Sequence, residues 1–144
     1  LLGGLLLGVI CCAGGLRLIW SGIQPVSGVN QDAEDVPISL PKGAKRVSYY
    51  CDTINVAFEC EVSEREFLRW APDAGALETR GAYELVEGPC DFPERYCEFL
   101  PNPCEVSYEG IDDGWSAEWS KEDRGLYLAY DRKTHRMYYF SHSR

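Results

Sequence analysis

The chain is short of cations: 14 Lys and Arg stand against 23 Asp and Glu, for a net charge of −9. All the acidic residues lie beyond residue 30, together with 13 of the basic ones, so the later part carries −10. Phosphate binding needs clustered cations, and their scarcity argues against a nucleic-acid partner. Metal-ligating patterns are lacking too. No CxxC occurs, and the two histidines, His135 and His142, sit near the C-terminus, far from the cysteines. Zinc is therefore a poor fit. Glu109, Asp112, Asp113 and Glu118 surround Gly110 and Gly114 without EF-hand spacing, which favours a solvated acidic turn over a calcium loop. No cofactor is called for. No internal repeat or low-complexity tract is present.

Charge is also missing from residues 1–16, and Leu18, Ile19 and Trp20 carry the apolar run past Arg17. Sixteen helical residues span roughly 24 Å and twenty about 30 Å, so the run suits either a signal-peptide core or a bilayer span. Arg17 near the end can snorkel, and Trp20 suits the headgroup region. Residues 1–23 are thus expected to form a membrane anchor, with a cleaved signal segment as the alternative. Gly4 and Gly8 form a GxxxG, and Cys12 continues the small-residue stripe, a geometry that permits helix packing in lipid. The expected location of the rest is the periplasm or the outside, tethered by a single pass or secreted after cleavage.

Residues 24–37 are polar and acidic, punctuated by Pro25, Gly28 and Pro37, and suggest a flexible stalk. A soluble α+β domain is expected over 38–144. Arg46–Cys51 and Val56–Val62 alternate as half-buried strands, joined by Asp52-Thr-Ile-Asn55. Pairing positions that sum to 107 sets Val47 against Cys60, Tyr49 against Phe58 and Cys51 against Val56, all on one face. Ser63-Glu-Arg-Glu66 is a capping box, and Phe67, Trp70 and Ala71 share a face of a short helix that Pro72 stops. Further strands are expected at 82–86, 105–108, 115–120, 126–130 and 136–140. The last two form a hairpin in spite of His135, which stands where such a turn prefers glycine. The whole is a small antiparallel sheet of four to six strands with one short packed helix.

The segments Ile38-Ser-Leu-Pro-Lys-Gly-Ala-Lys-Arg-Val-Ser-Tyr-Tyr50, Val62-Ser-Glu-Arg-Glu-Phe-Leu-Arg-Trp-Ala71 and Gly125–Arg144 resemble those of a group of small bacterial proteins with an N-terminal membrane segment. The resemblance covers roughly a third of the chain, and its motifs are structural: a capped helix and a hairpin. No site residue carries over, because no function is assigned to that group. His135 departs from the glycine the group leads one to expect.

Five cysteines fall beyond the leader: Cys51, Cys60, Cys90, Cys97 and Cys104. In a translocated domain this density suggests disulfides, with a pair among Cys90, Cys97 and Cys104 the first choice. Acidic flanks (Asp52, Glu59, Glu61, Glu98, Glu105) disfavour a reactive thiolate. Asp131, His135, Ser141 and His142 do not read as a triad, because Ser141 and His142 point to opposite faces of a strand.

Aromatic residues crowd the C-terminus, and residues 124–144 carry a net +4. Tyr138 and Phe140 share one strand face and Tyr139 takes the other, so one face is expected to cover the core and the other to be exposed. Trp119, Arg136, Tyr138 and Phe140 are the expected partner-binding surface. The leading expectation is a membrane-anchored, extracytoplasmic protein-interaction module without catalysis. One alternative is an envelope thiol–disulfide protein or other enzyme. Another is an accessory subunit of a membrane complex or a homo-oligomer, packed through the Gly4–Gly8 stripe.

Overall fold

Alternating side chains, broken by short polar turns, build an antiparallel meander. The computed structural model describes residues 24–74, 83–91, 99 and 110–143. Among them are seven strands: β1 (Val26–Gln31), β2 (Lys45–Cys51), β3 (Asn55–Glu61), β4 (Val86–Glu87), β5 (Gly114–Lys121), β6 (Arg124–Asp131) and β7 (Arg136–Ser143). They form one sheet in the order β1-β2-β3-β7-β6-β5-β4, every neighbour antiparallel. One helix, α1 (Glu64–Trp70), joins β3 to the later strands. The expected antiparallel sheet with one short helix is present, with seven strands among the described residues where four to six were expected. No helix among the described residues is long and apolar enough to cross a membrane. Residues 1–23, with Gly4, Gly8 and Cys12, lie outside the described residues, as do Cys97, Cys104 and the strand expected at 105–108.

Tyr49 does oppose Phe58, and Cys51 opposes Val56. The expected opposition of Val47 and Cys60 falls instead in a bulge, because Lys45 pairs with Glu61 and Ser48 with Glu59. Arg46 absorbs the extra residue with φ +49°. In the β2–β3 turn the Asp52 carboxylate accepts the backbone N–H groups of Ile54 (2.7 Å) and Asn55 (2.6 Å). That Asx geometry closes the turn without glycine.

The stalk assignment for 24–37 is corrected. Val26–Gln31 forms β1 on the open side of β2, Ala33–Asp35 makes a 3₁₀ turn, and Val36 is buried. Proline and glycine misled the reading, and the glycine has a packing reason. A Cβ at Gly28 would lie 2.7 Å from the Tyr49 ring, so the strand passes there only without a side chain. At the far edge the strand expected at 82–86 is replaced, among the described residues, by the two-residue β4, Val86–Glu87.

Helix α1 begins at the expected cap, but only the serine half of the capping box is formed. Ser63 is extended, and its Oγ accepts the Glu66 N–H at 3.4 Å. The Glu66 carboxylate is turned to Arg69 (2.9 and 3.0 Å). Seven residues are too few for a helix to persist alone, so burial must hold it. Phe67 is fully buried and stacks on Tyr130 with centroids 5.1 Å apart, while Trp70 meets Phe58 and Tyr139 edge-on at 5.9 and 5.8 Å. A buried phenylalanine contributes about 1.5–3 kcal/mol. Tyr83 fastens the helix exit, where its hydroxyl meets the carbonyls of Ala71 and Ala74.

The terminal hairpin forms with the expected residues. His135 takes φ +55°, and its carbonyl accepts the Val62 N–H at 3.0 Å, tying the turn to the start of α1. Asp131 closes the other side by accepting from the Lys133 N–H and the Thr134 hydroxyl, both at 2.8 Å.

Candidate functional site

Strand β7 lies between β3 and β6, in the middle of the sheet. Its two edges are therefore paired, α1 packs over one face and Ile111 with Phe99 over the other, and the expected exposed strip is corrected. Arg136, Tyr138 and Phe140 are only 3, 2 and 5 % exposed. Tyr138 and Phe140 pack with Ala57, Ile111, Tyr127 and Ala129, and Phe99 lies 5.1 Å from the Phe140 ring. Tyr139, on the other face, stacks on Phe58 at 4.9 Å and is half-buried. Of the four residues, only Trp119 keeps appreciable exposure.

Two of the hairpin's cations, Arg132 and Arg136, are engaged within the chain. Arg136 pairs with buried Glu59 at 3.1 Å, and its second amino group stands 3.7 Å from Glu61, which Arg46 also engages at 2.7 Å. Arg132 holds three carboxylates: Glu64 at 2.8 Å, Asp113 at 2.6 Å and Glu87 at 2.5 Å. It also lies over the Trp115 ring at 5.4 Å, and the Trp115 indole donates to Glu64 at 2.6 Å. Those two hydrogen bonds, from Trp115 and then Arg132, hold the Glu64 pKa below the usual carboxylate range. For these two arginines the acidic counterpart is the domain's own carboxylates.

The nucleophile candidates do not converge. Ser141 is buried in β7, and His142 stands on the opposite strand face above Gly125, whose missing side chain makes room for the ring. His135 Nδ1 is 3.3 Å from the Tyr130 hydroxyl, which also bonds the Val62 carbonyl, so this histidine serves the turn. Cys51, Cys60 and Cys90 carry free thiols, so of the pair expected among Cys90, Cys97 and Cys104 the choices that use Cys90 are not formed, and the other two cysteines lie outside the described residues. Burial is the first cause that raises all three thiol pKa values, and it takes Cys60 to about 12. For Cys51 the Asp52 carboxylate adds to this. Sequence reasoning had the direction right but gave the acidic flanks more weight than burial. Among the described residues no group of three potential ligands is placed to hold a metal ion.

The exposed feature that sequence reasoning missed is β1. It is the outer strand of the sheet among the described residues, it contains no charged residue, and Val26 is 42 % exposed. The Asn30 N–H turns inward to Ser48 Oγ at 3.4 Å. Because a trans peptide aims its C=O opposite to its N–H, the preceding Val29 carbonyl faces outward. It accepts there from the Gln31 side chain at 2.9 Å. The available signal was the absence of any charge from Leu18 to Gln31, followed at once by Asp32, Glu34 and Asp35.

No protein-family model, curated protein or solved structure matches this chain.

Proposed function

We propose that this chain is a membrane-tethered, extracytoplasmic module that binds polypeptide without catalysis, and that its contact surface is the outer edge of β1. The observation that carries the reading is an exposed, uncharged edge strand on a strongly acidic chain. Unpaired backbone groups along such a strand are a template for strand addition, which draws affinity from main-chain hydrogen bonds. The apolar run that precedes β1 supplies the tether. The thiol–disulfide alternative draws no support from Cys51, Cys60 or Cys90, whose thiols are held in the unreactive form.

Photo-cross-linking in intact membranes tests the contact. A benzophenone residue at Val26 is expected to give polypeptide adducts, while one at Tyr138 gives none. Adducts from both positions alike, or from neither, overturn the edge assignment. Release of the chain by alkaline carbonate overturns the tether.

A further inference from the structure

We infer that the strand added at β1 is the β1 of a second copy of this chain, antiparallel across a two-fold axis near Gly28 and Val29. This rests on the proposal that β1 is the contact edge, and it names the occupant. Charge is the argument. Two copies carrying −9 each repel over most of their surfaces, and β1 with its approach is a stretch of 14 residues, Leu18–Gln31, where neither brings a charge. A partner selected by charge would need a complementary charge on the edge, and the edge offers none.

The direction of pairing follows from what flanks the strand. Asp32, Glu34 and Asp35 come directly after Gln31, whereas Gln24 and Pro25 precede Val26. Parallel pairing would bring the two acidic clusters together. Antiparallel pairing sets each cluster beside the neutral start of the other strand. The clusters are then separated by the strand length, about 20 Å for six residues, well beyond the screening length of about 8 Å. Such a contact is self-complementary and closes as a dimer.

The outward Val29 carbonyl fits the same arrangement. The Gln31 side chain that now supplies its donor is exposed. An incoming main-chain N–H replaces that donor without leaving a buried group unpaired. The bulge between Gly28 and Gln31 limits the added ladder to a short one, so the dimer is expected to be reversible.

The test is the mass of the full-length chain in detergent micelles, with Val29→Glu and Val29→Lys measured singly and mixed. Wild type is expected to dimerise. Each variant alone is expected to weaken the dimer by at least about tenfold, because like charges meet across the axis. An equimolar mixture of the two recovers it, which a misfolded variant does not do. A monomeric wild type overturns the inference. So does a dimer indifferent to both variants, including one lost instead on Gly4→Leu or Gly8→Leu. If wild type is monomeric yet Val26 still gives adducts to a different polypeptide, the second copy is wrong and the edge reading stands. With neither dimer nor adduct, both fall.

Discussion

On the helix side of the sheet, Phe58, Leu128, Tyr130 and Met137 meet Phe67 and Ala71 in a mainly apolar contact, with the polar bonds of Tyr130 and Glu64 at its margin. On the other side, Ala57, Tyr127, Ala129, Tyr138 and Phe140 meet Ile111, with Phe99 and Cys90 against them, and the buried Glu59–Arg136 pair lies on this same face. The first face is covered by a helix whose start, stop and apolar stripe are written in ten consecutive residues. The second is covered by Cys90, Phe99 and Ile111, which are scattered along the chain between β4 and β5. An apolar face can be assembled from periodicity alone. A face holding charges works only where each charge meets its partner, and those partners come from different strands.

The sharpest way to break this comparison is Arg136→Met. Leaving Glu59 buried without its partner is expected to cost about 3–5 kcal/mol, measured by urea unfolding. The double variant Glu59→Leu/Arg136→Met is expected to recover most of that loss. If the single variant is neutral, the second face does not depend on the pair. Phe67→Ala probes the helix face and is expected to cost about 3 kcal/mol, read in the same titration. A loss far below that would mean the helix covers less than the ring stacking implies. Ser63→Ala removes the cap and is expected to cost about 1 kcal/mol, with Ser63→Asp close to wild type.

Acid titration separates the faces more gently. Burial pushes the Asp52 pKa up, but the N–H donors of Asn55 and Ile54 together with the Asn55 and Tyr50 side chains outweigh it, and the net shift is downward. A lowered folded-state pKa stabilises above the unfolded value and is lost as pH falls through the folded one, hence below about pH 4. Asp52→Asn is expected to flatten the stability–pH curve there, whereas an unchanged slope would remove Asp52 from the acid response. The smallest effect is chemical. Cys60 is expected to resist alkylation at pH 8 until the chain unfolds, and prompt labelling of native protein would contradict its burial.

Much of the helix face was legible. Alternation in β2 and β3, the Ser63 cap, Pro72 and the β6–β7 hairpin with its left-handed His135 all lie in short windows where local chemistry decides. The expected contact surface was not legible. Alternation locates Arg136, Tyr138 and Phe140 on one face of a strand but cannot say that Ile111 and Phe99 cover that face. Nor could 24–37 be read as a strand, because Pro25, Gly28 and the following acids look like a linker until Tyr49 is seen above Gly28.

By itself the sequence determined the apolar leader, the acidic charge balance, the antiparallel strands and the capped helix, because each depends on neighbours within a few residues. Only the tertiary structure decided that β7 is the middle of the sheet and β1 its edge. Strand order is a long-range choice that no local pattern encodes. It turned the basic aromatic hairpin into core and left a neutral strand at the rim.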